Sequence, residues 1–132
     1  APGGWTRVAL ERGLHVVAVD PAELHPSLHR RPGLEHARQT AQQYLARDRR
    51  RYALLLNDMR MDAIASAQVM LLAADHLERG SLALMTAKLP HEHPEPLVAR
   101  TLAVLRRGYQ VIGARQLFHN RSEITIALQA PA

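Results

Sequence analysis

Three titratable residues stand in short words far apart in this 132-residue chain: Asp58 in Asn57-Asp58-Met59, Lys88 in Lys88-Leu89-Pro90, and Glu123 in Arg121-Ser122-Glu123. Asp58 and Lys88 each close an apolar run that reads as a buried strand, Leu54–Leu56 and Leu82–Met85. Glu123 opens a third strand. Sequential parallel strands are usually neighbours, so Asp58 and Lys88 are expected to meet over the sheet edge. A returning antiparallel strand is expected to bring the Glu123 carboxylate to the same edge. Where three such groups meet, desolvation can bring a lysine toward neutrality, and hydrogen bonding can restrain it. Activating a poor nucleophile such as a sugar hydroxyl requires that arrangement. The competing reading is a strand-end salt bridge worth about 1 kcal/mol or less.

A second set lies at the start, in Ala1-Pro2-Gly3-Gly4-Trp5-Thr6. Gly3-Gly4 lets backbone approach a ligand closely and aims the N–H groups of a following helix at it, although such a turn alone is more often only a turn. Asp20 then ends the apolar run Val16-Val17-Ala18-Val19, where a carboxylate commonly holds a ribose diol. A turn-forming or helix-capping aspartate is the equal alternative at that position. Together the two features favour an adenosine-containing ligand. Trp5 reads most simply as a helix packing residue, and Met59 and Met61 as a pocket rim or core. His25 and His29, and His91 and His93 around Glu92, lack a third ligand at convincing spacing. They read as loop histidines, and no metal site is expected.

The elements that must position these residues follow from the pattern. A helix over Trp5–Arg12 is stopped by Gly13, and a strand over His15–Asp20 is closed by Pro21. Ala22–Gly33 reads as loop or frayed helix, Leu34–Arg38 as a short strand and Thr40–Arg47 as a short helix. Tyr52–Asp58 is the clearest strand; Asp62 caps a helix through about Arg79, ended by Gly80. Ser81–Lys88 is the next strand, Pro90–Pro96 a loop, and Leu97–Arg107 a helix ended by Gly108. Tyr109–Phe118 and Glu123–Gln129 read as antiparallel strands joined by His119–Ser122. The class is α/β, with a mostly parallel sheet and one C-terminal antiparallel strand. A glycine turn of this kind needs a strand leading into it, so residues 1–132 read as one domain lacking its first strand, a fragment of a longer protein.

Composition narrows the partners. Seventeen Lys and Arg against twelve Asp and Glu give a formal charge of +5, mostly from arginine, with dense spots at Arg30-Arg31, Arg47–Arg51 and Arg106-Arg107. Arginine suits planar phosphate recognition, which favours nucleic acid; solvated arginine-rich loops are the alternative. The absence of cysteine excludes disulfides and thiolate metal sites and fits a cytoplasmic setting. No apolar run approaches the roughly 18 residues of a membrane span.

The words Ala-Pro-Gly-Gly-Trp-Thr, Ala18-Val19-Asp20-Pro21, Asn57-Asp58-Met59, Ala87-Lys88-Leu89-Pro90 and Ala114–Thr125 together resemble the FtsJ-like ribose 2′-O-methyltransferases. The likeness is strongest to the RlmM branch, which acts on a cytidine of large-subunit ribosomal RNA. It implies a Rossmann-like S-adenosylmethionine-dependent methyltransferase fold. It further implies S-adenosyl-L-methionine as cofactor and ribosomal RNA as partner. Asp58, Lys88 and Glu123 would be three members of a Lys-Asp-Lys-Glu tetrad, whose first lysine lies upstream of the glycine turn in that family. Pro2, Gly3, Gly4, Trp5, Asp20, Gln39 and Asp58 would contact the methyl donor. Where the family presents an aspartate to the adenine amino group, this chain reads Arg38-Gln39-Thr40, and the Gln39 amide oxygen is the candidate replacement. A non-catalytic RNA-binding module on a degenerate fold, or a small-molecule methyltransferase, are the alternative functions.

Overall fold

The computed structural model describes residues 4–117 and 120–132 and divides the chain into two compact units, Ala1–Asp48 and Arg49–Ala132. Pro2 and Gly3 of the glycine turn lie outside the described residues, as do Phe118 and His119.

In the first unit, α1 (Gly4–Glu11) leads to β1 (Val16–Val19), a 3-10 turn at Pro26–Leu28, β2 (Leu34–Ala37) and α2 (Ala41–Arg47). Gly13 does end α1, at φ +80°, a left-handed conformation open to glycine at little cost. β1 and β2 are parallel, Val16 opposite Leu34 through Val19 opposite Ala37, and the Asp20 N–H continues the ladder onto the Ala37 carbonyl at 3.1 Å. Leu10, Ala18, Leu24 and Leu28 form the core of this unit. Thr40 caps α2 in a capping box: its side chain accepts from the Gln43 N–H, and Gln43 Oε1 accepts from the Thr40 N–H.

The second unit carries β3 (Tyr52–Asn57), α3 (Ala63–Ala74), β4 (Leu77–Lys88), α4 (Glu95–Leu105), β5 (Gln110–Leu117) and β6 (Asn120–Gln129). Its sheet runs in the order β3-β4-β6-β5. β4 is parallel to β3, whereas β6 is antiparallel to both β4 and β5, so β6 is the single reversed strand. One sheet face carries Ala83, Met85, Ala87, Ile126 and Leu128, which bury against Ala63, Ala67 and Met70 of α3 and Leu105 of α4. Tyr109 joins that core and donates its hydroxyl to the Met70 carbonyl at 2.6 Å. Burial, then the charge of Asp75, pushes that hydroxyl well above the usual tyrosine range.

Four boundaries depart from expectation. α3 ends at Ala74, not near Arg79, and Leu77 opens β4, buried as a strand residue. Its alignment with the helical stripe was coincidental. The backbone there is claimed by other partners: the Tyr52 N–H donates to the His76 carbonyl at 2.8 Å and Arg51 Nη1 to the Leu77 carbonyl at 3.2 Å. Gly80, expected to stop the helix, sits inside β4 at φ +72°, where the register with β3 shifts between Tyr52 and Leu54. α4 starts at Glu95 rather than Leu97, because a proline within the first turn removes only an N–H that has no helical partner. β6 begins at Asn120 rather than Glu123, with Leu117 paired to Asn120.

Tyr109→Phe is expected to lower stability by about 1 kcal/mol, the net worth of a buried hydrogen bond. A lower urea midpoint at unchanged slope is the measurement; an unchanged midpoint would show that the bond contributes nothing.

Candidate active site

Asp58 is presented by a turn that buried polar groups hold in place. Asn57, the last residue of β3, is buried; its amide donates to Ser66 Oγ of α3 at 2.9 Å, and its Oδ1 accepts the Met59 N–H at 3.0 Å. The first bond ties the strand end to the helix, and the second closes the backbone around Asp58. Asp58 itself is exposed, and its Oδ1 accepts the Thr86 hydroxyl at 2.7 Å. Thr86 Oγ1 also lies 3.3 Å from the Asn57 carbonyl, the longer of two choices for a single proton.

Lys88 and Glu123 are directly opposite one another in the antiparallel ladder of β4 and β6, one pair beyond Ala87–Ile124 and two beyond Thr86–Thr125. Opposite residues share a face and stand with Cβ atoms about 4.5–5.5 Å apart. The Leu89 N–H donates to the Ser122 carbonyl at 2.7 Å, holding the register just past the pair. Side chains alternate along a strand, so Thr86 and Lys88 point away from the face that buries Met85 and Ala87. Asp58, Thr86, Lys88 and Glu123 therefore gather at the carboxyl ends of β3 and β4, on the sheet face not covered by α3 and α4. Lys88 is exposed and Glu123 half-buried.

The first unit holds the other set. Gly4 opens α1, and a Cβ built there would meet nothing within 4 Å among the described residues. Trp5 is half-buried. Asp20 follows β1, and its Oδ1 accepts the Ala22 N–H at 2.8 Å, a turn of the kind weighed against ligand binding. Burial raises the Asp20 pKa, but hydrogen bonds, including that from Ala22, and nearby positive charge, including His36, outweigh it and leave the carboxyl below its ordinary range. The Asp20 carbonyl oxygen lies 3.2 Å from His36 Nε2, fixing the backbone there. Gln39, half-buried, follows β2, its N–H on the Ala37 carbonyl at 3.0 Å. His25 and His29 are engaged locally, with Ser27 Oγ at 2.8 Å and the Leu24 carbonyl at 3.0 Å.

Asn57, Ser66 and Thr86 were not singled out from sequence. The signal available for Asn57 was an amide residue at the end of an apolar run immediately before the acid. Thr86 carried none, because its role depends on which strand lies beside it. The arginine cluster is placed differently from the site. Arg50 lies over the Tyr52 ring at 5.9 Å and Arg51 binds the Leu77 carbonyl, both at the start of β3. A strand of this length separates them from Asp58 by about 20 Å.

No protein-family model matches the chain. It is 37% identical over 128 residues to the ribosomal RNA large subunit methyltransferase M of Halorhodospira halophila, an alignment covering 96% of this chain and 36% of that protein. The chain thus spans little more than a third of the length of such relatives. Along nearly all of its own length it is similar to them, which agrees with the resemblance read from the sequence. Among solved structures, Aeropyrum pernix fibrillarin, with natively bound S-adenosyl-L-methionine, superposes with a TM-score of 0.73 at 17% identity over 86% of this chain and 55% of that one. The 1,6-didemethyltoxoflavin-N1-methyltransferase of Burkholderia thailandensis superposes with 0.76 at 13% identity, over 100% of this chain and 68% of that one. The fold is the Rossmann-like methyltransferase fold. Likeness at such identities carries the fold and nothing finer.

Asn57→Ala is expected to cost about 1–3 kcal/mol, because Ser66 Oγ and the Met59 N–H lose their buried partner. Chemical denaturation checks it, and a loss well under 1 kcal/mol would mean the turn at Asp58 is held by other contacts.

Proposed function

We propose that this chain, a relative of the large-subunit ribosomal RNA methyltransferases M, carries the catalytic part of an S-adenosylmethionine-dependent RNA methyltransferase acting on a ribose 2′-hydroxyl of ribosomal RNA. The observation that carries this reading is the Lys88–Glu123 pair beside an aspartate pinned by Thr86. An amine and two carboxylates on one sheet edge can accept a hydroxyl proton and orient the oxygen that loses it. RNA as the substrate class draws on the relatives and on the net charge of +5.

The first unit has groups that fit the donor. A Cβ at Gly4 would meet nothing within 4 Å among the described residues, Asp20 offers a carboxylate for a ribose diol, and Gln39 offers an amide that by resemblance would take the adenine amino group. Pro2, Gly3 and Trp5 complete the set by resemblance. When bound, the donor would supply a methyl group from a sulfonium, whose sulfur would keep the carbon–sulfur electron pair as the methyl passed to the 2′-oxygen. Lys88 Nζ, in its neutral amine form, takes the 2′-hydroxyl proton. Glu123, directly across the ladder, orients the Lys88 amine, and Asp58, its carboxylate held by Thr86, orients the hydroxyl. Alignment of this kind contributes roughly 7–11 kcal/mol to lowering a barrier.

An RNA-binding module that has lost donor binding is the second reading, favoured by the lack of a carboxylate in Arg38-Gln39-Thr40. Calorimetric titration with S-adenosylmethionine separates the two. Asp20→Ala is expected to weaken donor binding by about 1–3 kcal/mol, the worth of charge-assisted hydrogen bonds. Unchanged affinity would place the donor elsewhere.

Lys88→Arg keeps the charge but cannot give up its proton at any working pH. In the intact protein it is expected to retain donor and RNA binding while transfer of labelled methyl falls about 10²–10⁴-fold, the usual contribution of a general base. Near-normal turnover would show that Lys88 acts only as a charge.

A further inference from the structure

The ladder continues past β6 onto β5, and it brings one more charged residue to this face. Thr125 of β6 pairs with Thr86 on one side and with Arg115 on the other, so Thr86, Thr125 and Arg115 form a row across three strands. Residues directly opposite in antiparallel pairs share a face, which sets Arg115 on the side of Lys88 and Glu123. Its Cα stands about 10 Å from that of Thr86, two strand spacings away. Glu123 is its diagonal neighbour, about 7–8 Å off. Arg115 is exposed, and the residues before it on β5, Val111-Ile112-Gly113-Ala114, carry no charge. Arg115 thus sets a guanidinium at the far side of the cluster that holds Asp58.

We infer that Arg115 binds a backbone phosphate of the RNA strand whose 2′-hydroxyl meets Lys88. This rests on the reading given under Proposed function. A ribose 2′-carbon is adjacent to the carbon that bears the 3′-phosphodiester, so a cation one or two strands from the hydroxyl site meets a phosphate when the sugar is in place. Arginine suits the task because its planar fork grips phosphate oxygens in pairs. With the hydroxyl held at Lys88 and the phosphate at Arg115, the sugar is fixed at two points. A small-molecule alcohol without phosphate would gain nothing from it. The arginines at the start of β3 are at the other end of that strand and cannot serve this purpose.

The test is anisotropy titration of the chain with a 20-nucleotide single-stranded RNA across a potassium chloride series, for wild type, Arg115→Gln, Arg115→Lys and the control Arg100→Gln on α4. Loss of one phosphate contact is expected to reduce the slope of log affinity against log salt by about 0.7 in Arg115→Gln. Affinity at low salt is expected to fall several-fold in that variant. Arg115→Lys is expected to keep the slope, Arg100→Gln to match wild type, and all four proteins to bind S-adenosylmethionine equally. If wild type binds RNA and Arg115→Gln does so with the same slope and affinity, the assignment is overturned while the parent reading stands. An equal loss in Arg100→Gln would also overturn it, since the effect would then be one of net charge. If wild type binds the donor but no RNA, the RNA reading fails and takes this assignment with it.

Discussion

The placement of β6 between β4 and β5 is the constraint on which the candidate active site depends. The ladder runs without interruption from Leu82 opposite Gln129 to Lys88 opposite Glu123. Because side chains alternate with a period of two, a slip of one residue would turn every β6 side chain to the other face. Ile126 and Leu128, now buried against α3 and α4, would move into solvent, at a cost of roughly 1.5–3 kcal/mol each. Glu123 would leave the face that carries Lys88. Hydrophobic burial on one side of the sheet therefore enforces the pairing of charges on the other.

The two ends of β3 serve opposite purposes. At its start, Arg51 and Tyr52 bind the carbonyls of Leu77 and His76, where the chain leaves α3 and enters β4. At its end, Asn57 spends a buried amide on Ser66 and on the Met59 N–H. A buried amide without partners would be costly, so this geometry is tightly specified. The carboxylate that follows it is exposed and accepts the Thr86 hydroxyl. The rigid polar anchor is inside and the exposed carboxylate outside.

Some of this organisation was legible in local sequence because it depends on local chemistry. The short helix after Thr40, the Asp62 cap of α3 and the stop at Gly13 each depend on residues within a few positions of one another. The strands ending at Asp58 and Lys88 announced themselves as apolar runs. Expectation and structure part where distant backbone decides the outcome. Leu77 fits a helical stripe and Gly80 a helix stop, yet β3 and β6 both hold that segment as strand, with Gln129 Nε2 donating to the Gly80 carbonyl at 3.1 Å. Local preference was outweighed by hydrogen bonds to strands far along the chain.

The amino-acid sequence by itself determined the α/β alternation, the ends of the strands that carry Asp58 and Lys88, and the words that resemble a methyltransferase family. Those features rest on composition and on spacing within a few residues. Only the tertiary structure decided that Lys88 faces Glu123, that Thr86 holds Asp58, and that Arg115 shares their face. These are relations across a ladder, between residues tens of positions apart. Register is chosen by which side chains can be buried together, a property of the assembled sheet and of no single segment.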